Sequence, residues 1–469
     1  MSYLEENKKI NRREFLRVSA LGATGALLVA CGGAATPAPE IIEKEVVVTK
    51  EVEKIVEVTS AAPASAGVTV LSFGHHWEAA FQPVQEGWDN KFMEKHPEIV
   101  IKRTYNSWAD HNTIVPTWAA AHTLPDIIYV HGSRSFPWAH EGIIVSIQEY
   151  IDADKEFNIE GIWEEALRLY RYEGKQVTIP YDHGPLLMGY NKDIFDAAGQ
   201  AYPAEGWTME DFLETAKALT NKDNQLWGFG SILPNLGPGA GGATLRPWGA
   251  VLMNEEQTEL TVDTPEAKEA IQWWADMIFE HEVALSLEEA VSMSAVIDAG
   301  GGPFRSGVVA MEMVASWDTP TLAEFATFKW DVAPWPSGPK GQGTGSFGSG
   351  FGITGDSKNP EAGWTYLREY LSTEGMIELW GSTGRGSPAR KEAYDSWLQS
   401  EVAPEHANYY LEALESYAKT DPPYATLAAP EILDIVNRET DLIKSGDKTA
   451  EEAISTIMEE GMAALAKVS

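Results

Sequence analysis

From about residue 67 onward, short apolar runs of strand character alternate with stretches of helical period, and this alternation constrains the fold more than any other feature. Val68-Thr69-Val70-Leu71-Ser72-Phe73 alternates apolar and polar residues and stops at Gly74. Phe81, Val84, Trp88 and Phe92 then recur at helical spacing, one buried face of a helix that His96-Pro97 ends. Ile99-Val100-Ile101 predicts a second strand. Pro125-Asp126-Ile127-Ile128-Tyr129-Val130 predicts a third, apolar enough to be covered on both faces. Strand–helix units of this kind build an α/β domain around a mostly parallel sheet. Helix starts continue down the chain: Thr208 with Asp211 three residues on, Thr264-Pro265-Glu266, Asn359-Pro360-Glu361, and Thr449 with Glu452. Each precedes an apolar stripe, such as Ala267, Ala270, Ile271, Trp274, Met277 and Ile278.

Composition narrows the function classes. The 469 residues include 44% apolar types, enough for a large core or two domains, and carry a net charge of −35. A surface this acidic repels the phosphate backbone of nucleic acid and anionic lipid headgroups, so neither is an expected partner. The single cysteine excludes a disulfide framework and any Cys-rich metal cluster. No apolar run is long enough to span a bilayer in the mature chain.

The first 30 residues read as an export signal. Lys8, Lys9, Arg12, Arg13 and Arg17 form a basic region ahead of the apolar Leu16–Ala30. Asn11-Arg12-Arg13-Glu14-Phe15-Leu16-Arg17 resembles a twin-arginine signal. Leu28-Val29-Ala30-Cys31 resembles a bacterial lipobox, which implies cleavage before Cys31 and acylation of that residue. Residues 31–66, small and Pro-rich and then a Glu/Lys/Val/Ile alternation, have the composition of a tether.

A series of short stretches, in order over roughly 400 residues, resembles the family 1 extracellular solute-binding proteins of ABC importers, the maltose-binding protein superfamily. They are His122-Thr123-Leu124-Pro125-Asp126-Ile127, Gly142–Ile147, Tyr172–Tyr181, Tyr190-Asn191-Lys192-Asp193-Ile194-Phe195, Gly206–Phe212, Phe304–Met311 ahead of Trp317, Ala333–Gly338, and Gly384–Arg390. The resemblance implies a two-lobed α/β fold of the type II periplasmic-binding-protein kind, with a hinge and an inter-lobe ligand cleft. By analogy one lobe covers 67–180 plus 345–400 and the other 181–344 plus 401–469. It also implies a non-enzymatic, monomeric receptor that captures a sugar or oligosaccharide without a cofactor or metal and delivers it to a membrane permease. A polyamine or other small solute on the same scaffold, or a secreted carbohydrate-active enzyme, are the alternative readings.

Ligands of open α/β sheets bind beyond the carboxyl ends of the strands. The candidate contacts are therefore His75, His76 and Trp77 after the first strand and His131 after the third. Asp182 and His183 follow the Gln176–Tyr181 crossover, and Trp317 and Asp318 follow Ala310–Val314. Phe347, in the Gly-rich 345–348 segment, and Arg385 face the same gap in the family picture, and Trp248 is added from a Gly/Pro-rich loop. Indole faces pack on the apolar faces of sugar rings, while amides, imidazoles and carboxylates take the hydroxyls. Trp88, Trp163, Trp273, Trp274, Trp364, Trp380 and Trp397 sit in helical patterns and read as packing.

Other motifs carry less. Gly343–Gly348 and Gly237–Gly242 fit G-x-G-x-x-G by letter, but neither is expected to follow a strand and open a helix as a dinucleotide turn does. The histidines lack ligand spacing for zinc. Tyr409-Tyr410 is similar to the tyrosine pair of ferric-ion binders but falls in a helical stretch.

Overall fold

The structure, a computed structural model, describes residues 67–76, 79–230, 233–237, 239–296, 302–420 and 426–468. Cys31, the export signal and the tether lie outside the described residues. Among those described, no helix is long and apolar enough to cross a membrane.

The strands, in chain order, are β1 (Thr69–His76), β2 (Ile99–Asn106), β3 (Ile127–His131), β4 (Ile179–Pro180), β5 (Gly184–Pro185), β6 (Leu187–Asn191), β7 (Trp227–Phe229), β8 (Val309–Val314), β9 (Trp330–Ala333), β10 (Thr344–Phe347), β11 (Ser349–Ile353) and β12 (Ala418–Thr420). They form one sheet in the order β2-β1-β3-β11-β4, a second in the order β9-β6-β8-β7, and a small third in the order β12-β10-β5. A short hairpin, Arg171–Tyr172 with Lys175–Gln176, stands apart. The helices that matter below are α1 (Gln82–Lys95), α2 (Trp108–Ala120), α3 (Met209–Leu219), α4 (Pro265–Phe279), α5 (Thr319–Phe325), α6 (Pro360–Tyr370), α7 (Ala429–Lys444) and α8 (Ala450–Ala466).

Local signals set the helix starts. The Thr208 hydroxyl accepts the Asp211 N–H while the Asp211 carboxylate accepts the Thr208 N–H, and Thr449 and Glu452 repeat the arrangement at α8. Thr264 caps α4 with Pro265 in its first turn. At α6 the Asn359 side chain makes no cap bond and instead reaches the Asp126 carboxylate at 3.3 Å.

The expectation of a mostly parallel sheet holds only in part. β2, β1 and β3 are parallel and β11 joins them antiparallel, while β4, paired antiparallel to β11, runs in the same direction as β1–β3. In the second sheet β9, β6 and β8 pair antiparallel, and only β8 and β7 are parallel. The reason is connectivity. β4 is the last strand before the chain leaves this sheet for the other one and keeps the sense of β1–β3, whereas β11 is the first strand after the chain returns and crosses them in the opposite sense.

Each large sheet carries its own core, which makes the molecule two-lobed. Leu71, Phe73, Ile127, Ile179, Phe351 and Ile353 pack with Trp88 and Phe92 of α1 and Trp364 and Leu367 of α6. Met188, Phe229 and Met311 pack with Phe212 of α3, Trp274 of α4, Ile432 and Val436 of α7, and Ile454 of α8. The outer face of the second sheet (Leu187, Val309, Val314 and Val332) is covered by Tyr394, Trp397 and Tyr410. The small third sheet lies at the crossing. There a Cβ on Gly348 would sit 2.2 Å from the Asp182 carbonyl oxygen, so only glycine lets these two crossing segments meet. That close approach explains the Gly343–Gly348 motif, which forms strand rather than a phosphate turn. The other one, Gly237–Gly242, runs into a six-residue helix at Ala240–Leu245, with Gly239 at φ +66° before it, but β7 ends at Phe229, so it does not follow a strand as a dinucleotide turn does.

Candidate ligand cleft

The carboxyl ends of β1 and β3 build an imidazole-rich floor. His75 and His76 are buried and stack with ring centroids 5.8 Å apart. His76 meets Tyr129 edge-on at 4.0 Å, and His111 of α2 donates from Nε2 to the Tyr129 carbonyl at 3.0 Å. His131 lies 4.6 Å from Phe347 of β10, and its Nδ1 is 2.7 Å from the Ser133 hydroxyl. Burial holds these imidazoles neutral, pushing His111 down to about 4, His131 to about 3 and His76 to about 2. The nearby Arg385 guanidinium adds to the effect at His76.

The crossover supplies the hinge side. Asp182 is 4% exposed, and its Oδ1 accepts the Ser349 N–H at 2.6 Å, tying β4's exit to β11. His183 is wholly buried and pushed down to about 3 by desolvation, with no partner for either ring nitrogen among the described residues. Ser387 donates from its hydroxyl to the His183 carbonyl at 2.9 Å and shares a 2.7 Å bond with the Ser316 hydroxyl. These bonds fasten the turn before α5 to the 384–387 segment.

The turn after β8 carries Trp317 and Asp318. Asp318 closes the turn on itself, its Oδ2 accepting the Ala315 N–H at 2.9 Å and its Oδ1 lying 3.5 Å from Arg305. Burial raises its pKa. Trp317 is half-buried and touches both the core of the second sheet and the cluster around Phe347, Tyr170 and Val130 on the first. A cavity of about 370 Å³ opens beside it. Trp317, Pro320, Thr321 and Glu324 form one wall, and Phe81, Thr383 and Arg385 the other. A hollow of about 400 Å³ lies over α1 and α6, lined by Trp88 and Arg368, away from the strand ends. The inter-lobe cavity is the better candidate because residues from both lobes converge on it.

The structure thus brings together Trp317 and Arg385 in the cavity wall, with His76 beside Arg385. Asp182, His183 and Phe347 lie in the crossing, and His75 and His131 in the floor. Trp77 lies outside the described residues. Trp248 is a correction: it is 2% exposed and packs against Trp273, 5.5 Å away, inside the second core, because the loop that holds it folds under α4 rather than into the gap. The region also contains residues that the sequence pattern does not single out: His111, Tyr129, Thr383, Phe81 as a cleft residue, and above all Trp108, which is 51% exposed. The signal for Trp108 was available. β2 runs to Asn106 rather than ending near Ile101, so Trp108 stands two residues after the end of a strand. The polar tail Lys102–Asn106 on an edge strand hid that continuation.

One metal-like cluster exists among the described residues, with Asp331, Glu405 and His406 donor atoms within 4.8 Å of one another. Lys192 already places its ammonium 2.8 Å from Glu405 and 3.8 Å from Asp331, so the cluster is an ion-pair network and is assigned no metal.

Comparison with known proteins agrees with this architecture. An arabinooligosaccharide-binding protein of Halalkalibacterium halodurans is 24% identical over 355 residues, 70% of this chain and 73% of that protein. An ABC substrate-binding protein of Listeria monocytogenes, solved in complex with cycloalternan, superposes with a TM-score of 0.76 at 24% identity, covering 85% of this chain and 99% of that one. The cyclic alpha-maltosyl-1,6-maltose binding protein of Arthrobacter globiformis superposes with a TM-score of 0.70 at 18% identity, covering 86% and 100%. The profile of the bacterial extracellular solute-binding proteins matches residues 87–407, so this chain belongs to that family, a family of exported binding proteins and not of enzymes.

Proposed function

We propose that the protein captures a sugar or oligosaccharide between its lobes and presents it to the permease of an ABC importer. The observation that carries this reading is the cavity shared by the two lobes, with an indole on one wall and a phenyl ring and a guanidinium on the other. An apolar ring face with hydrogen-bonding groups at its rim is the chemistry a pyranose or furanose needs. The relatives named for arabinooligosaccharide and for cyclic maltosyl-maltose support the ligand class. A polyamine fits less well, because its ammonium groups would meet the buried Arg385 guanidinium.

In this reading the first lobe is 67–180 plus the segment from 345 to about 393, since Tyr394 and Trp397 pack on the second sheet, and the second lobe is the remainder from 181 onward. Lobe closure about the 181–186 and 344–348 crossings encloses the ligand. Acylated Cys31 and the 31–66 tether hold the protein at the outer face of the cytoplasmic membrane. Asp182, His183, Trp317, Asp318 and Arg385 serve binding or the hinge and carry out no chemistry.

Thermal melting of the purified protein against malto- and arabino-oligosaccharides and spermidine tests the reading. A ligand that binds only the folded form raises the melting temperature. An oligosaccharide is expected to do so and to be recovered intact. A shift with spermidine alone, or accumulation of cleavage products, would sink it.

A further inference from the structure

Trp108 is the most exposed large aromatic side chain among the described residues, yet it is not loosely held. It is the first residue of α2, a helix capped by the Ser107 hydroxyl on the Asp110 N–H, so its backbone is fixed. Its indole lies near the Tyr129 hydroxyl, which bonds the Ser349 hydroxyl at 2.9 Å. Its ring stands 85° to that of His131 at 5.6 Å. The first position of a helix makes no demand for an aromatic, and leaving about half of an indole in water forgoes stabilisation that a buried position would give. What the arrangement provides is a rigid, flat apolar surface at the carboxyl end of β2, beside the imidazole floor. Of the other large exposed aromatics, Phe279 and Phe325 end their helices and Tyr202 donates from its hydroxyl to Asp196; none of the three follows a strand of the first sheet.

Trp108 is also not part of the cavity wall around Trp317 and Arg385. We infer that Trp108 is a second stacking platform, on the first lobe, that packs against a ring of the ligand other than the one beside Trp317, and so sets a preference for two or more linked sugar units over one. This assignment rests on the sugar-binding reading above.

The test is calorimetric titration of wild type and Trp108→Ala with malto- and arabino-oligosaccharides of one to four units. Iodide quenching of tryptophan fluorescence accompanies each titration. In wild type, affinity is expected to rise with chain length, and bound oligosaccharide should shield an exposed indole from iodide. In Trp108→Ala the rise should flatten, with trisaccharide affinity down about tenfold, the shielding lost and the melting temperature nearly unchanged, because so little of the side chain is packed. Trp108→Phe should recover part of the affinity. If wild type binds the series and Trp108→Ala follows the same length dependence, this assignment falls and the sugar-binding reading stands. If wild type binds no member of either series, both fall.

Discussion

Trp317 and Trp248 make a paired experiment in which the structure separates a cleft indole from a core indole. Trp317 is half-buried and lines the inter-lobe cavity, whereas Trp248 is enclosed against Trp273. A ligand that covers ~50 Å² of the Trp317 ring gains ~1.2 kcal/mol from apolar burial at about 25 cal/mol/Å². Ring packing adds ~0.5–1.5 kcal/mol. Trp317→Ala should therefore lose about 2 kcal/mol of binding, roughly a 30-fold weaker dissociation constant. Its stability should fall only modestly, since part of the ring already faces the cavity. Trp248→Ala should do the reverse, destabilising by about 3–5 kcal/mol as an emptied core site does, with unchanged affinity in the protein that remains folded. Titration calorimetry gives the affinities and urea melts the stabilities. Wild-type affinity in Trp317→Ala with a large stability loss would make that indole a packing residue and remove the basis for the cleft assignment. Weakened binding in a folded Trp248→Ala would show that the second core communicates with the cleft in a way the structure does not explain.

Two predictions concern pH. His76, His111, His131 and His183 are held neutral by burial down to about 2–4, against 6.5 for a free imidazole, so on acidification the unfolded chain takes up protons that the native chain refuses. The stability they contribute is complete above pH 6.5 and is lost as pH falls toward their native values, at up to about 1.4 kcal/mol per pH unit for each group. The melting temperature should drop steeply between pH 6.5 and 5, and His111→Gln should lessen the slope; a flat profile would contradict the buried floor. Glu312 behaves oppositely: burial, and then the neighbouring Asp318 charge, push its carboxyl up to about 7. Its native state favours the proton, so that contribution is present below about 4.5 and lost as pH rises through 7. Glu312→Gln should melt higher than wild type at pH 8 and no higher at pH 4; equal melting at pH 8 would place Glu312 in a better-solvated site than its contacts imply.

A third prediction tests the crossing. Ser387→Ala removes the bonds to the Ser316 hydroxyl and the His183 carbonyl, each worth about 1 kcal/mol net. It should lower the melting temperature of the free protein more than that of the ligand-saturated protein, and an equal loss in both would deny these bonds a part in lobe geometry.

What the sequence determined by itself was local. The helix starts at Thr208, Thr264 and Thr449 are legible because a cap is made by a side chain and an N–H three residues away. β1 and β3 are legible because their apolar pattern lies within a few consecutive residues. The order of short motifs was enough to recognise the family. Only the tertiary structure decided which way β4 and β11 run, that Gly348 is required by the Asp182 carbonyl, and that Tyr394 packs on the second sheet rather than the first. It also decided the fates of three indoles that look alike in sequence: Trp248 in a core, Trp317 on the wall of the gap, and Trp108 half in water beside Tyr129 and His131. Burial depends on what arrives from the far side of the chain. Tyr129 is 21 positions from Trp108 in the numbering, and Arg385 and Trp317 meet across segments that no local pattern connects.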